Sequence, residues 1–168
     1  MELAAGAGLY RAKWTERIHE EWTGNVLKDR PDLSRDQVFR TRDLMNSAVA
    51  DALVEGYEDL IPSLRLPDAN DRHVLAAAIA SVSDAIITFN LRDFPRSELE
   101  KYRLDALHAD DFIFHLCEVD DAAVLLSAQH CCTRLKNPPR SPADYLDTLE
   151  RQGLPKTVVF LRNYAGVI

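Results

Sequence analysis

Residues 66–95, LPDANDRHVLAAAIASVSDAIITFNLRDFP, constrain the fold of this chain more than any other stretch. Leu75, Ala78, Ile79 and Val82 recur at helical spacing, and Asp68 stands where a helix N-cap would stand. The run Ala85-Ile86-Ile87-Thr88-Phe89 is rich in β-branched and aromatic residues and carries no charge, which predicts a strand buried on both faces. A helix packed on a parallel sheet runs antiparallel to the strand that follows it. The start of the helix and the C-terminal end of the strand therefore meet at one sheet edge, the edge where open α/β sheets bind ligands. Asp71 is expected to face Asn90 and Asp93 across a cleft there.

Each pair of residues also has a plain structural reading. Asp68 and Asp71 have the spacing of a capping pair, which satisfies free N–H groups and the helix dipole. Asn90 and Asp93 are ordinary turn residues after a strand. Their meeting at one edge is what points to a site, since carboxylates crowded together favour a bound cation.

The chain has 168 residues, 46% of them hydrophobic, enough for one domain or a domain with an appendage. No run approaches the ~18 apolar residues of a membrane span, and no signal peptide opens the chain, so a cytoplasmic location is expected. Cys117, Cys131 and Cys132 lack metal-ligand spacing and read as reduced, mostly buried thiols. The five histidines, at 19, 73, 108, 115 and 130, form no ligand pattern and read as structural or surface residues. A net charge of −7 argues against a large nucleic-acid footprint. The densest basic sets are Arg35, Arg40 and Arg42, and Arg134, Lys136 and Arg140; solvated helix faces account for them. No Gly-rich phosphate loop or nucleophile elbow is present, which disfavours nucleotide-fuelled chemistry and serine hydrolysis.

Residues 1–6 read as the last turn of a helix closed by Gly6, and residues 9–15 as a strand with Tyr10, Ala12 and Trp14 on one face. Thr15 is expected to cap a helix whose apolar face carries Ile18, Trp22 and Val26, with Glu21 at its flank. The capping box from Ser34 to Gln37 predicts a helix running to about Glu55, ahead of Gly56. A short helix over 97–102 and an edge strand over 104–108 follow, and Asp110 is expected to cap the next helix. Beyond it Asp120 caps a helix stopped by Pro138 and Pro139, Ser141-Pro142 opens another that ends at Gly153, and a last helix follows Pro155. The change to all-helical character places a boundary near Cys117, dividing an α/β domain over 1–116 from a C-terminal helical extension over 117–168.

The motifs DANDRHVLAAA (68–78) and IITFNLRDFP (86–95), supported by WTERIHEEW (14–22), resemble PIN-domain proteins. The resemblance is to the VapC-like toxins of bacterial toxin–antitoxin pairs, over most of residues 9–116. The segments KNPPR (136–140) and LERQGLP (149–155) are similar to a helical extension in one branch of these proteins. The resemblance implies a three-layer α/β/α fold around a parallel sheet. It also implies an endoribonuclease dependent on Mg²⁺ or Mn²⁺, hydrolysing RNA phosphodiesters, paired with a cognate antitoxin and forming a homo-oligomer. Position by position, Glu21 matches the family's helix glutamate, Asp71 its central aspartate, and Asn90 and Asp93 the polar pair after its fourth strand. Glu21, Asp71 and Asp93 are then the implied metal ligands and, with Asn90, the implied catalytic set. The family's central first strand, which carries a further aspartate, has no counterpart before Leu9. The expectation is an N-terminally truncated PIN-like domain with weak metal binding and impaired cleavage. The alternatives are a non-catalytic module that keeps the partner-binding surface, and another Mg²⁺-dependent phosphotransfer or phosphatase protein.

Overall fold

The computed structural model describes residues 8–136 and 139–168. The expected helix end at residues 1–6, and the stop at Pro138, lie outside the described residues. The described part of the chain begins with residues outside regular secondary structure. Residues 9–13 form no ladder; only Trp14 bridges, in parallel, to Leu53, through Trp14 N–H to Ala52 O at 2.9 Å and Val54 N–H to Trp14 O at 2.8 Å. The expected strand over 9–15 is thus corrected to a single bridge. The reason is that Leu9 and Tyr10 are drawn into a different core, with Tyr10 edge-on to Phe112 at 5.1 Å.

Thr15 caps helix α1 (Glu16–Asp29), its hydroxyl accepting from Ile18 N–H at 3.1 Å. The buried positions of α1 are His19 and Thr23, while Ile18, Trp22 and Val26 are only half-buried. His19 is buried because its ring is fully partnered: Trp22 Nε1 donates to Nδ1 at 2.8 Å, and Nε2 meets Asn46 Oδ1 at 2.9 Å. Helix α2 (Arg35–Ala48) opens on the expected Ser34–Gln37 capping box but ends seven residues early. Val49 is extended, Asp51 is left-handed at φ 57°, and the chain turns so that 52–54 can reach Trp14. A distant partner, not local propensity, sets that end.

A 3₁₀ turn over Glu58–Ser63 leads to helix α3 (Arg72–Ala80), strand β1 (Ala85–Thr88), the short helix α4 (Arg96–Leu99) and strand β2 (Asp105–His108). The strands pair in parallel, Ala85 opposite Asp105 through Thr88 opposite His108. The described residues thus form a mixed helix and sheet structure with a small two-stranded parallel sheet. Leu75, Ala76, Ile86, Leu99 and Leu104 make the core around it, α3 and α5 both packing on β1. Burying a leucine such as Leu75, which is wholly inaccessible, contributes about 1.5–3 kcal/mol.

Helix α5 (Ala109–Val119) follows β2 without a break. His108 caps it, Nδ1 accepting from Asp110 N–H at 3.2 Å, which corrects the expected cap at Asp110. Asp110 is buried and serves a different helix, described below. Helices α6 (Asp121–Arg134), α7 (Pro142–Arg151) and α8 (Pro155–Arg162) complete the chain, with caps at Asp120 and Ser141 as the sequence predicts. Leu116, Val124, Leu146, Val158 and Leu161 form a second core among them. The three cysteines are free thiols, Cys117 and Cys132 buried and Cys131 half-buried.

Candidate active site

Two segments far apart in sequence bring carboxylates within electrostatic reach of Asp71, and its own turn supplies a third. That residue closes a 3₁₀ turn, Ala69–Asp71, directly ahead of α3. The turn is capped by Asp68, whose Oδ1 accepts from Asn70 N–H at 2.8 Å. Asp71 makes no capping bond of its own. The capping pair expected from the spacing is therefore half realised, and the Asp71 carboxylate is left without a structural task.

Its environment resists negative charge. Burial raises the Asp71 carboxyl above its usual range, and the neighbouring charges of Asp93, Asp68 and Glu21 raise it further, with hydrogen bonding to Asp93 favouring the protonated form. Asp93 belongs to the 3₁₀ turn Leu91–Asp93 that follows β1. Asn90, at the cap position of that turn, donates from Nδ2 to Asp93 Oδ2 and takes its own backbone N–H to Thr88 Oγ1 at 3.0 Å. The strand end thus positions Asn90, and Asn90 positions Asp93.

Glu21 reaches the cluster from the middle of α1 and is already engaged. Its Oε1 lies 3.3 Å from Arg17 Nε, one helical turn away, and 3.0 Å from His73 Nε2. The histidine contact is close in distance yet outside hydrogen-bond geometry, and both ring nitrogens of His73 lack a true hydrogen-bond partner although the side chain is fully buried. We read the contact as electrostatic. Burial holds His73 below its ordinary pKa, Glu21 pulling it up and Arg17 pushing it down. Arg17 also reaches Asn70 O at 3.5 Å, tying α1 to the turn that carries Asp71.

The structure therefore places Asp71, Asp93 and Asn90 together, with Glu21 near enough to act on Asp71 through its charge. Sequence reading missed Arg17 and His73. The i, i+4 spacing of Arg17 and Glu21 was a readable signal. His73 falls on the buried face of α3 with Ala76 and Ala77, a signal that a buried histidine beside Asp71 has work to do. Among the described residues no three or more His, Cys, Asp or Glu side chains are gathered into an arrangement ready to hold a metal ion. Chemically, the site offers hard oxygen donors, an amide that fixes one of them, and uncompensated negative charge.

Comparison with known proteins adds an independent line. Residues 109–163 match the model of the VapC50 C-terminal domain. The chain is also 36% identical over 101 residues to "Putative ribonuclease VapC50" of Mycobacterium tuberculosis, covering 60% of this chain and 59% of that protein. The chain thus spans about three fifths of the relative's length. No solved structure matches it. In sequence, this chain is similar to VapC50 both across much of its length and in its C-terminal helices.

Proposed function

We propose that this chain is a VapC-like, PIN-type endoribonuclease that uses Mg²⁺ or Mn²⁺ held by Asp71 and Asp93. The observation that carries the reading is the crowding at Asp71, whose carboxyl is pushed upward by burial and by three acids, Asp93 and Glu21 from distant segments and Asp68 from its own turn. A divalent cation relieves that repulsion. The donors fit one: Mg²⁺ is commonly bound through one or two carboxylates, keeps several waters, and takes further oxygens from substrate phosphate. Two carboxylates supported by Glu21 suit that pattern better than a closed protein cage. Such an ion, when bound, activates water and stabilises charge developing on a phosphodiester.

The residues of the chain do the rest. Asn90 donates a hydrogen bond to Asp93 and orients it. Arg17 and His73 hold Glu21. The similarity to a protein named as a ribonuclease supports RNA as substrate, and by the same likeness an antitoxin protein as partner. We place the boundary near Cys117, between a PIN-like unit and a C-terminal helical extension; the core formed among the last helices and the family match, which begins upstream at residue 109, support a distinct C-terminal part.

A second reading has its own support. Glu21 is already ion-paired with Arg17, as expected of a partner-binding module that has no use for a cation. Cleavage of single-stranded RNA in Mn²⁺ separates the two. The enzyme reading expects metal-dependent cleavage that falls about 100-fold or more in Asp71→Asn, the loss of several kcal/mol of charge stabilisation. Cleavage that is absent, or that Asp71→Asn leaves intact, favours the module.

A further inference from the structure

Phe89 stands directly between β1 and Asn90, yet neither the core nor the acid cluster uses it. Its residue exposure is 60%. Single exposed apolar residues are common, but this ring is held. His108, at the start of α5, meets it edge-on, with centroids 5.3 Å apart and planes at 87°. On another side it lies against Gly153, in the turn between α7 and α8. A Cβ built on Gly153 would stand 3.4 Å from Phe89 Cε1, and the glycine is left-handed at φ 87°. His108 thus packs on one aromatic ring, Gly153 lies near it, and most of the ring is left open to solvent, one peptide bond from the amide that positions Asp93.

A nucleotide-cleaving site on this chain has an affinity problem. The net charge is −7, and the acid cluster adds local repulsion toward phosphate. Grip must come from contacts that are not ionic. Stacking of a base on an aromatic face is such a contact, and it tolerates any sequence because every base has a π-face. Leu91, 43% exposed, extends the apolar surface past Asn90.

We propose that Phe89 is a stacking platform for a nucleobase of single-stranded RNA, next to the phosphate that Asp71 and Asp93 act on. The proposal rests on the nuclease reading for the identity of the ligand, and its test is a binding measurement that needs no cleavage. Single-stranded RNA oligomers carrying one 2-aminopurine are titrated with the full chain in EDTA. The wild type is expected to quench the fluorophore by stacking. Phe89→Leu keeps apolar contact with His108 and Gly153 but has no π-face; it is expected to lose the quench and about tenfold or more in affinity. Phe89→Tyr is expected to retain both. The dependence of affinity on salt is expected to be the same in wild type and Phe89→Leu, because an uncharged contact releases no counterions. Thermal melting of the Leu variant close to that of wild type shows that the fold is intact.

Binding by Phe89→Leu within about twofold of wild type overturns the proposal, and so does the absence of any quench with wild type. The first of these is also the result if the ring seats a protein side chain instead. Failure of the parent reading looks different. A Phe89-dependent quench without Asp71-dependent cleavage in Mn²⁺ removes the nuclease and keeps the platform. Asp71-dependent cleavage with KM unchanged in Phe89→Leu does the reverse.

Discussion

Under the proposed function Asp71 holds the cation, and the same side chain weakens the fold without one. Its carboxyl is raised by burial first and then by Asp93, Asp68 and Glu21, so the folded chain holds that proton more tightly than the unfolded chain does. The group therefore favours folding below the ordinary carboxylate pKa, and the contribution is lost as pH rises through the folded value. At neutral pH and without metal the ionised form is a net cost. Asp71→Asn is expected to raise Tm in EDTA at pH 7 by about 2–4 °C, the size of a change near 1 kcal/mol in a chain of this length. That gain is expected to shrink as pH falls into the carboxylate range; a variant that melts lower at pH 7 would contradict the account. Val82 is a second residue under strain, and a simpler one. It follows α3 in the left-handed region at φ 52°, with Ser83 N–H to Ala78 O at 3.0 Å and Val82 N–H to Ile79 O at 3.1 Å, the two bonds of a Schellman close. Glycine usually occupies that position, and a β-branched residue there is an outlier. With 87% exposure, Val82 has little packing to lose. Val82→Gly is expected to stabilise by about 0.5–1 kcal/mol in urea denaturation, after allowing for the extra freedom of unfolded glycine.

At the scale of elements, most helix beginnings were legible and so was the end at Gly153, while the end of α2 and the cap of α5 were not. Thr15, Ser34, Asp120 and Ser141 each cap the helix that follows, because a cap is a bond between neighbours in sequence. The end of α2 depends on Trp14, more than thirty residues upstream by the bond to Asn46, and no local window contains it. Asp110 fails the local reading for a related reason. Helix α8 has Leu154 at its cap position, which offers no side-chain acceptor. Asp110 supplies one from 46 residues away, accepting from Lys156 N–H at 2.8 Å, Thr157 N–H at 2.9 Å and the Thr157 hydroxyl at 2.8 Å. Burial works to raise its pKa, but these donors outweigh it and hold the carboxyl below the usual range. The folded-state value is thus the lower one, so Asp110 contributes stability above the unfolded carboxylate pKa, and the contribution is lost as pH falls through the folded value. Asp110→Ala removes the side-chain acceptor of the Lys156 and Thr157 N–H groups, the latter buried, and is expected to cost about 2–4 kcal/mol, measured by denaturant unfolding at pH 7. The deficit is expected to narrow at acid pH, where the wild-type carboxylate is itself protonated.

Across the whole molecule, the region from Asp71 to Asp93 was the most legible part of the sequence, because its helix, strand and turn are contiguous. What the sequence did not convey was the company the acids keep: Arg17 and His73 on Glu21, Asp68 withdrawn into a cap, and Phe89 beside them packed edge-on against His108. These contacts support one account, in which two carboxylates await a cation that substrate phosphate helps to hold. The direct test is Mn²⁺ titration of the full chain, followed by water-proton relaxation, with and without single-stranded RNA that carries no cleavable phosphodiester at the bound position. The account predicts weak binding to the chain alone, tighter binding with RNA present, and loss of both in Asp71→Asn. Mn²⁺ binding that is unaffected by Asp71→Asn, or none even with RNA present, would contradict it.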